Sequence, residues 1–234
     1  MRGLFVTGTG TGVGKTILSA ALLAAMRATG EPVRAHKPVV TGLAEPPGTW
    51  PPDHELLALA AGMAAEEVAP LRFQPPVSPH LAGLLADQPI DAAGVLKRAK
   101  TCASASETLI VEGIGGLLVP LAHDLTVRDL AVELALPLLI AAPPGLGTIN
   151  HTLLTLEAAR VVGLRVAAVV LTPWPTEPSP VELSNQETIA RMGAVDIATL
   201  EEISSADTPA LAGAGGRLPW RDWLSRTSFV PTRP

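Results

Sequence analysis

The sequence predicts a three-layer α/β fold, a parallel sheet with helices on both faces, and three observations predict it. Short apolar runs of aliphatic and β-branched residues alternate with longer segments of helical periodicity. The chain has 234 residues, 47% hydrophobic and 17% charged, which is ample for a buried sheet and too apolar for disorder. Its 23 prolines cluster at 46–52, 70–79, 137–144, 173–180 and near the C-terminus, where loops between elements belong.

Leu4–Thr7 is the first strand and runs into a glycine-rich stretch. A helix follows from about Lys15 to Ala28, with Leu18, Leu22, Leu23 and Met26 on its apolar face and Gly30 ending it. Val33–His36 reads as the second strand. Glu55–Ala61 and Ala92–Ala103 read as helices, then Leu109–Glu112 as a buried strand and Leu117–Pro120 as a short extra one. The pattern continues with helix Val127–Leu134, strand Leu138–Ala142, helix Ile149–Val162, strand Val166–Leu171 and helix Val181–Met192. A single domain is expected over 1–234. Its last thirty or so residues, from about 205, hold Ala-Gly runs and Leu218-Pro219-Trp220 and are expected to form a cap or a partly mobile tail.

Charge and cysteine usage exclude several function classes. Seventeen basic residues stand against 22 acidic ones, a net charge of −5, with no block of Lys or Arg to meet a nucleic acid. The lone Cys102 allows neither an internal disulfide nor a cysteine-based zinc site, which suits a reducing cytosol. Met1–Val6 leads directly into the glycine-rich stretch, so a removable signal peptide would take a functional motif with it and none is expected. The most apolar run, Leu134 to Leu146, is broken by Pro137, Pro143, Pro144 and Gly145 and is too short to span a bilayer. The expectation is a cytoplasmic protein without a membrane partner.

The stretch Thr7-Gly8-Thr9-Gly10-Thr11-Gly12-Val13-Gly14-Lys15-Thr16 lies between a strand and a helix, the setting of a phosphate-binding loop. Its glycines let successive N–H groups turn toward phosphate oxygens, and the helix start adds positive charge. Lys15 is placed to reach the β- and γ-phosphates of a nucleoside triphosphate, and the Thr16 hydroxyl to ligate Mg²⁺. The loop is one residue longer than the common form, because Thr9 stands where a glycine is usual and Gly8 precedes it. Gly10 stands where partition-type ATPases carry a lysine.

Glu112 ends an apolar strand and is followed by Gly113, Gly115 and Gly116, which suits an acid held near the metal of a phosphate-loop enzyme. Asp53, before Glu55-Leu56-Leu57, reads locally as a helix N-cap, with a metal role as the alternative. Lys37 closes a strand at the carboxyl edge of the sheet. It is either an exposed strand-end lysine or a charge facing the transferring phosphoryl group. Gly147, Thr148, Ile149 and Asn150 open a helix whose first N–H groups suit a carboxylate. His151 reads as a packed helix residue in preference to a base, and Ser78-Pro79-His80 as a turn.

The long loop Thr7–Thr16, Lys37-Pro38-Val39-Val40-Thr41-Gly42, Val111-Glu112-Gly113-Ile114-Gly115-Gly116 and Leu146-Gly147-Thr148-Ile149-Asn150-His151 occur in that order. Together they resemble the dethiobiotin synthetase family of phosphate-loop NTPases over roughly residues 3–192. The resemblance implies a cyclo-ligase of biotin synthesis. In it 7,8-diaminononanoate and CO₂ form a carbamate, which attacks the γ-phosphate and displaces the nucleoside diphosphate, and the second amine closes the carbamic–phosphoric anhydride into the ureido ring with release of phosphate. It implies Thr16, Asp53 and Glu112 as Mg²⁺ ligands, and residues Gly10 to Thr16 with Glu112 around the nucleotide. Lys15, Lys37 and Thr11 would be the catalytic charges and contacts, with Thr41 and Ser78 on the diamine. The 147–150 amides would hold the substrate carboxylate across a homodimer interface. Adenine-selecting members often carry an Asn-Asp pair where this chain reads Thr172-Pro173-Trp174-Pro175. ATP is the expected co-substrate, and the missing pair leaves another triphosphate, CTP included, as the alternative. A partition- or maturation-type ATPase acting as a nucleotide switch is the rival reading. Gly10 speaks against it, and Lys37-Pro38 has no role in it.

Overall fold

A computed structural model describes residues 2–46, 48–103 and 107–225. In chain order the elements are β1 (Gly3–Gly8), α1 (Lys15–Ala28), β2 (Val33–His36), β3 (Val39–Val40), α2 (Asp53–Ala61), α3 (Ala65–Val68), β4 (Leu71–Arg72), α4 (Pro79–Leu85) and α5 (Ala92–Ala103). They continue with β5 (Thr108–Glu112), β6 (Pro120–Ala122), β7 (Leu125–Thr126), α6 (Val127–Leu134), β8 (Leu138–Ala142), α7 (Thr148–Arg160), β9 (Val166–Trp174), α8 (Pro180–Gly193), β10 (Ile197–Glu201), α9 (Thr208–Gly216) and α10 (Trp220–Ser225).

Six strands form one parallel sheet in the order β10-β9-β8-β1-β5-β2. The chain leaves β1 toward β2 on one side and later builds β8, β9 and β10 on the other. The order reverses at β1, so the crevice above its carboxyl end is the natural ligand site of such a sheet. Alternation along β1 divides the interior. Leu4 and Val6 face a core shared with α1, α2 and the C-terminal helices, whereas Phe5 faces a second core formed with α5, α6, α7 and α8. The predicted three-layer α/β class holds.

Several local expectations change. The short extra strand is Pro120–Ala122, paired antiparallel with Leu125–Thr126, and not Leu117–Pro120. Ser78 precedes a helix, α4, in place of a turn, with Pro79 in its first turn. β9 runs on to Trp174, past Leu171. Residues 208–225 form two helices that bury Leu211, Leu218, Trp220 and Trp223 in the α1 core. A Cβ on Gly215 would stand 2.0 Å from the carbonyl oxygen of Ala21, so α9 lies directly on the α1 backbone. Residues 226–234 of the expected cap or tail lie outside the described residues. No described helix is long and apolar enough to cross a membrane.

Candidate active site

The phosphate loop takes its shape from glycine. Gly12 and Gly14 have φ of 73° and 87°, a region where a side chain is strained, and a Cβ on Gly14 would also come within 2.7 Å of the Thr172 methyl. Gly14 is the N-cap of α1, and its left-handed turn leaves the first N–H groups of the helix facing the crevice. Val13 is buried beneath the loop, whereas Thr11 and Gly12 are exposed on it. Lys15 folds back over the loop, its Nζ donating to the Gly10 carbonyl at 2.7 Å. Burial lowers the Lys15 pKa to about 8, partly opposed by Glu112 and reinforced by Lys37.

Neighbouring strands deliver the charges. His36 on β2 pairs with Val111 on β5, so Lys37 and Glu112 leave the sheet side by side. Both are 1% exposed. The Lys37 ammonium forms ion pairs with Glu112 Oε1 and with Asp53 Oδ2, the latter at 2.8 Å. The same Oε1 accepts from the Thr16 hydroxyl at 2.9 Å. Burial acts against the charge on Lys37, but Glu112 and Asp53 outweigh it and raise its pKa above the lysine range. Burial likewise acts against a charged Asp53, yet Lys37, the Thr16 hydroxyl and Lys15 together lower its pKa.

Lys37 and Asp53 both depart from their purely local readings. Lys37 is not an exposed strand-end lysine. Asp53 is not an N-cap either, because Pro52 takes that position and makes Asp53 the first residue of α2, free to turn to Lys37.

Residues around Thr16 fit a divalent ion. Glu112 Oε2 is buried without a hydrogen-bond partner, next to a hydroxyl and a second carboxylate. Among the described residues no three His, Cys, Asp or Glu side chains gather into a metal cage. Mg²⁺ does not demand one, since it keeps several waters and takes phosphate oxygens beside one or two carboxylates.

The loop 113–116 crosses the phosphate loop closely. A Cβ on Gly115, where φ is 60°, would stand 3.6 Å from Thr11 Oγ1, and one on Gly116 3.6 Å from the Gly8 carbonyl. Thr41 lies in a segment tied to the 73–78 loop, with Gly42 N–H donating to the Pro75 carbonyl at 2.9 Å and Leu43 N–H to that of Phe73. Among the described residues, no hydrogen bond or ion pair joins Thr41, Ser78 or residues 147–150 to the Lys37 group.

At the start of α7, Gly147 is the N-cap at φ 89° and carries no side-chain cap. The Thr148 N–H is partly engaged, donating to the Gly145 carbonyl at 3.3 Å, and its side chain is buried beside Thr152. Ile149 is half-buried and Asn150 exposed. His151 is exposed, contrary to the packed residue expected there, because it faces outward on the first turn. Asn185 on α8 was not singled out by the sequence. Its buried amide donates to the carbonyls of Pro144 and Gly145 at 2.8 and 3.1 Å, and a lone asparagine in a helix carries no local signal of such a task.

Comparison with known proteins matches residues 2–210 to the model of an AAA domain family. The ATP-dependent dethiobiotin synthetase BioD of Anaeromyxobacter sp. (strain K) is 44% identical over 194 residues, covering 82% of this chain and 86% of that protein. BioD of Bacillus subtilis (strain 168) is 36% identical over 201 residues, 84% and 85% of the two chains. Among solved structures, the MinC:MinD cell division protein complex of Aquifex aeolicus aligns over 100% of this chain and 99% of that one, with TM-score 0.59 and 15% identity. A ParA family ATPase from Chlorobium tepidum TLS covers 96% and 94%, with TM-score 0.52 and 14% identity. At such identities the two structures show the shared fold.

Proposed function

The chain belongs to the family of ATP-dependent dethiobiotin synthetases, and on that footing we propose that its phosphate loop, Lys37 and the Thr16–Asp53–Glu112 group carry out nucleotide-driven closure of the ureido ring of dethiobiotin. It is a ligase of biotin biosynthesis that uses a nucleoside triphosphate as co-substrate. The observation that carries the residue assignment is the buried Lys37 ammonium at the carboxyl edge of the sheet, within reach of the metal-type ligands.

Loop N–H groups from Gly10 to Thr16 hold the phosphates, and Lys15 exchanges the Gly10 carbonyl for phosphate oxygens. Thr16, Asp53 and Glu112 would hold Mg²⁺, which when bound would screen the phosphate charge and act as a Lewis acid toward the γ-phosphoryl group. Both the carbamate and the triphosphate are anionic, and a carbamate is a weak nucleophile. Catalysis therefore rests on positioning and on fixed positive charge more than on a base. Lys37 supplies that charge to the carbamate from a buried position, and Thr11 a hydroxyl beside it from the exposed loop. Thr41 and Ser78 line the diamine, and the amides of residues 147–150 receive its carboxylate from a second copy of the chain. This makes the enzyme a single-domain homodimer acting in the cytoplasm on small molecules. ATP is the co-substrate on this reading, and because Thr172–Trp174 offer no amide pair for adenine, another triphosphate such as CTP is the alternative.

Incubation with 7,8-diaminononanoate, bicarbonate, Mg²⁺ and each triphosphate tests the reading. Diamine-dependent phosphate release is expected. Its absence with every nucleotide would sink the proposal, and turnover with another triphosphate in preference to ATP would overturn ATP as the co-substrate.

A further inference from the structure

We propose that Asn185 is a positioning residue that sets the affinity for the diamine's carboxylate by holding the loop before α7 with its carbonyls turned away from the anion. This rests on the reading of the α7 start as the carboxylate site.

The loop Pro143-Pro144-Gly145-Leu146-Gly147 is stiffened at its two prolines but has few hydrogen bonds of its own. Its two prolines offer no N–H. Leu146 is 98% exposed and anchors nothing. Within the loop, the bond from Thr148 N–H to the Gly145 carbonyl is long, at 3.3 Å. Against this, one buried side chain reaches in from α8. Asn185 is 8% exposed and donates from a single Nδ2 to two successive carbonyls, Pro144 and Gly145. Asparagine is a poor residue for the middle of a helix, and a buried amide is unfavourable unless bonded. Both costs are offset by bonds to this loop and not to the helix that carries the residue.

The electrostatic consequence is directional. Carbonyl oxygens carry partial negative charge, so a loop free to rotate would bring them toward a bound carboxylate. With both carbonyls bonded to Asn185 and Gly147 in the left-handed region, the first-turn N–H groups of Ile149 and Asn150 keep no intrahelical acceptor and are the donors left for the anion. An isosteric carboxylate at 185 would keep the shape and reverse the effect, because it has no hydrogen to give and repels both oxygens.

Asn185→Ala and Asn185→Asp are compared with wild type for steady-state turnover on the diamine acid and on its methyl ester. Thermal melting and nucleotide KM are followed alongside. For the acid, KM is expected to rise roughly tenfold in the alanine variant and more in the aspartate variant, with kcat and nucleotide KM within about threefold. With the ester, wild type loses affinity and the variants lose little more. Variants whose KM for the acid matches wild type, or rises equally for acid and ester, overturn the role of Asn185. If wild type does not discriminate acid from ester, the carboxylate reading of the α7 start itself fails. A variant that does not fold also counts against the proposal if the other folds with wild-type KM, since the side chain would then be only structural.

Discussion

Lys37 and Glu112 meet because the residues before them, His36 and Val111, are partners in the β2–β5 ladder. The pair is buried on both sides, whereas Asp53, the second carboxylate on the same ammonium, has a side chain 46% exposed. The lysine therefore sits against one oxygen of each carboxylate assigned to a divalent ion, Glu112 Oε1 and Asp53 Oδ2, and leaves Glu112 Oε2 without a partner.

Replacing Lys37 by Met should consequently do two opposite things. Glu112 is left as an uncompensated buried charge, which is expected to destabilise the nucleotide-free protein by about 3–5 kcal/mol. Millimolar Mg²⁺ should restore part of that loss, because the ion no longer competes with an ammonium. Thermal melting with and without Mg²⁺ reads both effects. Equal Mg²⁺ shifts in variant and wild type would refute the competition. Turnover of Lys37→Met should fall by about 10²–10³-fold, and full activity would remove Lys37 from the mechanism.

Lys15 predicts a pH dependence. Its folded pKa, about 8, lies below the ordinary 10.5, so between these values the unfolded chain binds the proton that the folded chain has lost. Stability of the nucleotide-free protein should then rise from about pH 8 toward 10.5, and the protonated lysine is a burden below 8. Lys15→Met should abolish this rise and melt higher than wild type at pH 7, by up to about 3 kcal/mol. Nucleotide binding near pH 9 should take up a proton, because phosphates favour the ammonium. Calorimetry in buffers of different ionisation enthalpy measures the uptake, and no dependence on buffer would disprove it.

Gly215 predicts a purely steric loss. Any Cβ there meets the Ala21 carbonyl oxygen at 2.0 Å, so Gly215→Ala must push α9 off α1. A loss of about 1–3 kcal/mol is expected in chemical denaturation. Gly216→Ala, with open space around it, serves as the control and should change stability little.

Much of the fold was legible because its signals are local. The apolar face of α1 and the glycines around it give its limits, and β2, β8, α5 and α6 follow from short apolar runs or strong periodicity. β10 escaped because it is an edge strand in which only Leu200 is fully buried, so neither alternation nor an apolar run marks it. α9 falls in the stretch expected to be a cap or a partly mobile tail, and it is not legible as a helix because glycine is a poor helix former. It becomes a helix through contact with α1, which the local sequence does not display. The site divides in the same way. The phosphate loop and Glu112 are motif and strand end, visible at once. The Lys37–Asp53–Glu112 convergence is a product of strand register, and local cues for Asp53 favoured a cap. Asn185 left no trace at all, since its partners lie some forty residues away.

The seating of α9 and α10 on α1 and β1 also orders events during synthesis. The phosphate-loop helix emerges early, but the surface that covers one side of it is among the later parts to be translated. Until Gly215 and Trp223 arrive, Leu22, Met26 and their neighbours remain open to water or to chaperones. A chain that stopped before residue 208 would therefore carry the whole phosphate-loop motif set with one face of its first helix left uncovered.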